Sequence, residues 1–306
     1  MKKACFLASI IVVVCLAVYF NALFNGFVYD DIPQVVENPW ITDIRHVPDM
    51  FSNPVWGFQK EFSANYYRPF MHCIFMLSYY IFGLAPWGFH LVNILFHAGV
   101  SVLVFVIASR LLDREGGGTP PLHASFLSPG FIAALLFAVH PIHTEAVTWI
   151  SGLPEVSFTF FCLLSFYLFV RSSGFGLSYA LSVFFFSLAA FCKETALALP
   201  LLLVAYDVFF RRPFLSKPAG EIWLAYLKKY TPYFAVIGVY FIMRMRALGG
   251  FAPVNLHKDL DTFQIVLNIF PIFSQYLEKL FLPTLAKHPP IGVLVEHQPS
   301  RQSEPQ

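Results

Sequence analysis

Apolar runs close to the length of a bilayer-spanning helix recur along this chain, and they decide what it can fold into. The hydrocarbon core takes ~20 apolar residues per helix and leaves no backbone polar group without an internal partner. Of 306 residues 57% are hydrophobic and 12% charged, about half the charged share of an ordinary soluble domain. The reading is an all-α integral membrane protein. Its 36 Phe suit lipid-facing and helix-packing surfaces, and its 22 Pro and 17 Gly suit turns and broken helices.

The runs are 4–24, 89–112, 129–139, 156–170, 177–192, 196–210, 222–246 and 263–285, which predict about eight crossings. Lys2 and Lys3 precede the first run, which is longer than the apolar core of a secretory signal and lacks a small-x-small cleavage site in 21–26. It reads as an uncleaved span with a cytoplasmic N-terminus. Residues 25–87 form a long first external loop, with Pro33, Pro39, Pro48 and Pro54 and the interfacial aromatics Trp40, Trp56, Tyr66 and Tyr67. The short apolar run 71–82 is expected to lie at the interface. Lys2/Lys3, Arg110/Arg114, Arg171, Arg211/Arg212, Lys217 and Lys228/Lys229 then fall on one side, as the positive-inside rule requires. Residues 1–285 are expected to form one polytopic domain. Residues 286–306, rich in Pro, Gln and Ser, read as a disordered tail.

The five cysteines form no CxxC pair and sit mostly in apolar runs; they read as packing residues. A net charge of +2 with no basic patch gives no reason to expect a nucleic-acid partner.

This topology gathers Asp30, Asp31, Arg68, His140, His143, Glu145, Glu155, Lys193, Glu194, Arg244 and Arg246 at the external face. Charges beside lipid cost ~2.5–3.5 kcal/mol each at the bilayer centre and normally face a cavity or one another. Asp30–Asp31 supplies a general base or a metal ligand, or else is a solvated acidic turn. Arg68, beside Tyr66 and Tyr67, offers a planar fork to a lipid phosphate or an anchor to headgroups. His140, His143 and Glu145 order a ligand or cap a helix; two histidines three apart across a proline are a poor zinc signature. Lys193 and Glu194 bind a ligand or satisfy each other at a tight hairpin. Arg244 and Arg246 hold a phosphate or snorkel to headgroups. His72, His90 and His97 read as packed, and Asp207 as a cap or a partner of nearby arginines.

The segments Phe27–Val28–Tyr29–Asp30–Asp31, Tyr66–Tyr67–Arg68–Pro69, Gly88–Phe89–His90–Leu91–Val92–Asn93, His140–Pro141–Ile142–His143–Thr144–Glu145–Ala146–Val147 and Lys193–Glu194–Thr195 occur in that order. Together they resemble the membrane region of the transmembrane and tetratricopeptide-repeat O-mannosyltransferases and their bacterial relatives, of the GT-C glycosyltransferase superfamily. The resemblance implies a polyprenyl-phosphate sugar as donor and a protein or glycan hydroxyl as acceptor. It makes Asp30 the base toward that acceptor, with Asp31 in support. It implies Arg68, Lys193 and Arg244 or Arg246 as donor-phosphate ligands, and Tyr67, His140, His143, Glu145 and Glu194 as sugar- or loop-positioning groups. No metal or other cofactor is expected. No tetratricopeptide period is visible, so that partner region is expected to be missing. The other reading is a non-catalytic relative that binds lipid-linked sugar or scaffolds a membrane partner. A transporter fits less well, because charge gathers at one face and no half is duplicated. Short loops favour a bacterial inner membrane over the endoplasmic reticulum.

Overall fold

The computed structural model describes residues 2–59, 65–113, 126–172, 174–211, 219–251 and 262–281. Arg114, Arg212, Lys217 and the expected tail 286–306 lie outside the described residues. The described residues form helices and turns, with no strand among them. The chain divides into two units, Met1–Val254 and Asn255–Gln306.

In the first unit, α1 (Lys2–Val18) packs against α4 (Pro86–Asp113) and α5 (Pro129–Val139). Its buried Leu7, Ile11 and Cys15 are four residues apart, one stripe of a helix. The helix α4 also meets α7 (Leu153–Arg171), which lies along α8 (Leu177–Cys192). Proline in the first turn starts α3 (Pro69–Phe82), α5 and α7, where its missing N–H costs nothing. Between α1 and α3 the chain is built of short 3-10 and π turns and the six-residue α2 (Val47–Ser52). One apolar core under that loop unites Val35, Trp40, Ile41 and Met50 with Phe75 of α3, Phe89 of α4, Ile150 and Cys192. A second, at the far end of α7, unites Phe169, Tyr206, Tyr230 and Tyr233 with Leu203 of α9 (Leu199–Tyr206).

Of the expected crossings, two helical stretches among the described residues are long and apolar enough to cross a bilayer, Pro86–Leu112 and Ile150–Arg171. A third appears if Pro129–Val139 and Pro141–Thr148, bent by 47°, count as one. The rest are shorter, broken or more polar. The run expected at 196–210 is a 3-10 turn, the eight-residue α9 and a π turn, Asp207–Arg211. Over the run expected at the interface, α3 buries Met71, His72, Ile74, Phe75, Met76 and Ser78 and leaves Leu77, Tyr80 and Ile81 exposed. The bend after α5 has a local cause. Pro141 excludes the helical basin for the residue before it, and His140 accordingly has ψ 127°.

α10 (Ala219–Leu248) carries Pro232 inside it and brings Tyr240 onto Tyr67. In the second unit, α11 (Thr262–Phe281) is a single 20-residue helix with Pro271 inside it.

Candidate active site

The two aspartates have different environments. Asp31 is completely buried. Its Oδ1 accepts the Ser151 N–H at 2.8 Å and the Ser151 hydroxyl at 2.6 Å, and its Oδ2 accepts the Val28 N–H at 3.0 Å. Three donors satisfy a buried carboxylate that would otherwise be strongly disfavoured. Asp31 therefore ties the end of the first loop's opening turn to the Ile150–Gly152 turn at the head of α7. Asn93 of α4 reinforces the same turn by donating to the Trp149 carbonyl at 2.7 Å. Asp30 is exposed at the tip. The backbone there is strained: Tyr29 has φ +47° and is the one non-glycine residue with positive φ among those described, a conformation that costs about 1–3 kcal/mol.

The cations have partners of their own. Arg68 makes a two-pronged ion pair with Glu194, Nε to Oε2 at 3.1 Å and Nη2 to Oε1 at 2.8 Å, with Tyr66 under its guanidinium at 4.5 Å. Burial pushes the Glu194 carboxyl up, but the Arg68 hydrogen bond and charge, helped by Lys193, outweigh it and hold Glu194 below its ordinary range. Lys193 pairs with Glu155, in the first turn of α7. Lys193 and Glu194 thus do not satisfy each other. Lys193 is extended, with φ −158° and ψ 138°, so consecutive side chains leave in opposite directions and find separate partners.

Arg244 donates to the Asn65 carbonyl at 2.8 Å, to the Tyr240 hydroxyl at 3.4 Å and to the Phe251 carbonyl at 3.5 Å. Among the described residues it has no carboxylate partner. Arg246 is exposed two residues on, about 200° around α10. Tyr67 is fully buried; its hydroxyl donates to the Phe51 carbonyl at 2.7 Å and its ring meets Phe191 and Tyr240.

The His–Pro segment is occupied with its own architecture. His140 Nδ1 accepts the Ile142 N–H at 3.2 Å, and the His143 ring lies 4.2 Å from Phe137 and 5.3 Å from His97. Glu145 is exposed in the first turn of α6 (Thr144–Thr148). Among the described residues no three His, Cys, Asp or Glu side chains form a metal-sized group.

The acidic loop and the cations share one end of the bundle, because Ser151 holds Asp31 and Glu155, four residues on, holds Lys193. Ser151 lies in the 3-10 turn that leads into the first turn of α7, where Glu155 stands. Ser151 and Tyr240 are the members of this arrangement that sequence reasoning missed, and neither had a local signal. Glu155 was gathered at this face as a carboxylate but given no role.

No family model matches the chain, and no solved structure matches it. Curated proteins do. The chain is 35% identical to human protein O-mannosyl-transferase TMTC3 over 224 residues, 70% of this chain and 23% of that protein. It is 37% identical to Drosophila Tmtc3 over 178 residues, 54% of this chain and 19% of that one. With human TMTC4 it shares 33% over 223 residues, 66% of this chain and 29% of the relative. The matched part thus covers about a quarter of the length of these relatives. Over more than half of its own length, then, the chain is a homologue of the protein O-mannosyl-transferases.

Proposed function

We propose that this chain carries the sugar-transfer site of a membrane glycosyltransferase of the GT-C type. It would move a sugar, mannose by analogy with the relatives' names, from a polyprenyl-phosphate carrier to a protein or glycan hydroxyl. The observation that carries the reading is the division of labour in the acidic pair. Asp31 is a buried anchor on Ser151, four residues before the Glu155 that holds Lys193, and it leaves Asp30 exposed at the tip. An exposed carboxylate on an anchored turn is what acceptor activation needs.

In the reaction, Asp30 takes the proton of the acceptor hydroxyl as its oxygen bonds to the anomeric carbon. The bond from that carbon to the phosphate oxygen breaks, and the lipid phosphate leaves with its charge. Arg244 is the cation of choice for that charge, since its partners are carbonyls and a hydroxyl rather than a carboxylate. Arg68 and Lys193, each already paired with a glutamate, shape the cleft wall. Arg246 stands away from Arg244 and joins only if the helix end reorients. Tyr67, His140, His143 and Glu145 act by holding the loop and the broken helix after α5. The leaving phosphate needs no metal in this scheme. The site faces the external or lumenal side, with the N-terminus cytoplasmic and about eight crossings. The relatives named above are human and Drosophila proteins and lend the bacterial inner membrane no support.

Asp30→Asn is expected to remove sugar transfer from a polyprenyl-phosphate mannose by ~100-fold or more, the usual scale for a general base. Thermal stability should hold, because Asp30 lies outside the core. Transfer at the wild-type rate by this variant would remove Asp30 from the reaction. The pairing of Arg68 and Lys193 favours a second reading, a relative that binds the lipid-linked sugar without turning it over. Donor binding with no product from the wild-type chain would decide for it.

A further inference from the structure

Tyr29 is not explained by packing. Its side chain is among the most exposed in the chain, at 86%, and its backbone has φ +47°. Glycine or asparagine is the ordinary occupant of such a conformation, and tyrosine is one of the costlier ones. The turn is held by the Asp31 N–H donating to the Val28 carbonyl at 3.0 Å and the Ile32 N–H donating to the Tyr29 carbonyl at 3.2 Å. It is anchored below by buried Asp31. The strained turn therefore leaves an aromatic ring exposed, one residue before exposed Asp30. Val28 and Ile32, 47% and 37% exposed, flank the pair with further apolar surface.

We propose that Tyr29 is an acceptor-binding residue: its ring is the platform on which an extended polypeptide lies while presenting a Ser or Thr hydroxyl to Asp30. This rests on the transferase reading of Asp30. The acceptor is favoured over the donor sugar because Arg244, the cation suited to the donor phosphate, is half-buried on α10, whereas Tyr29 is 86% exposed. It is favoured over a headgroup anchor because interfacial aromatics need no particular backbone conformation, whereas this one is held in a strained conformation.

The test uses the full chain in lipid nanodiscs and a labelled, acetylated pentapeptide with a central threonine flanked by valines, with binding read by fluorescence anisotropy. Tyr29→Asn keeps a residue suited to positive φ and removes the ring; it should weaken peptide binding by about 10-fold or more while melting no lower than wild type. Tyr29→Phe should bind within about 2-fold of wild type, since the ring and not the hydroxyl is used. A wild-type chain that binds no peptide, or a Tyr29→Asn chain that binds it as tightly, overturns the proposal. So does a Tyr29→Trp chain whose fluorescence brominated lipid tails quench by more than they quench the five tryptophans of the wild type, which would place the ring in the bilayer. Peptide binding that depends on Tyr29 but leads to no sugar transfer would uphold this contact and sink the transferase reading.

Discussion

Glu194 shows how a residue can be placed by charge before it is used by chemistry. It sits at the head of a five-residue 3-10 turn, partly buried, and is tolerated there because Arg68 meets both of its oxygens. A carboxyl held below its ordinary value of 4.5 contributes stability above that value and loses it as the pH falls through the lowered one. Wild type should therefore lose thermal stability in acid below about pH 4.5, and Glu194→Gln should flatten that part of the profile. A Glu194→Gln profile that follows wild type throughout would show the pair to be idle. At this scale the sequence marks the charged residues but not their partners. The acidic pair, Arg68 and Lys193–Glu194 stand out because charge is scarce in an apolar chain. That Asp31 is buried and anchored depends on Ser151, 120 residues away, and no local pattern carries that.

At the scale of elements, the Ile150–Gly152 turn matters more than its three residues suggest. It receives Asp31 through Ser151 and Asn93 through the preceding carbonyls, and it starts α7, which brings Glu155 to Lys193. Gly152 makes the turn possible by close approach: a Cβ there would lie 2.6 Å from the Ala146 carbonyl oxygen and 3.1 Å from its carbon, both backbone. Gly152→Ala must move α6 or the head of α7, and is expected to cost about 1–3 kcal/mol, the usual range for overpacking. It should also slow transfer more than the fall in folded protein accounts for, because the shift reaches Asp31. Loss of stability alone, with the surviving protein fully active, would break that link. The neighbouring bend at His140–Pro141 was legible, since proline announces it. The extended geometry that turns Lys193 away from Glu194 was not; it follows from partners on α7 and the first loop.

Across the whole of the first unit, charge is sorted to the two ends of α7. Glu155 belongs to the cluster with Lys193, while the carbonyls of Phe169, Val170 and Ser172 accept Arg211 Nη2 at 3.0, 3.2 and 3.0 Å. From Glu155 to Arg171 is about 24 Å of helical rise, close to the thickness of the hydrocarbon core. At the far end Asp207 is almost fully buried, with Lys229 on its Oδ2, the Tyr230 hydroxyl donating to the same oxygen at 2.8 Å, and Arg211 3.3 Å from its Oδ1. The Arg211–Asp207 approach is an ion pair without hydrogen-bond alignment. The apolar runs announce such sorting, but the partner of Asp207 on α10 is a tertiary fact. Removing the carboxylate leaves two cations facing aromatic rings with no counter-charge, so Asp207→Ala should destabilise the chain by about 3–5 kcal/mol. The far cluster fastens α7, α10 and the Asp207–Arg211 turn together, whereas the near one holds the acidic loop. Binding of a polyprenyl-phosphate sugar by the Asp207→Ala protein that remains folded should therefore match wild type. Thermal melts and donor binding on the same nanodisc preparation separate the two effects. If donor affinity falls in step with stability, the ends of α7 are coupled and the outer site does not stand on its own.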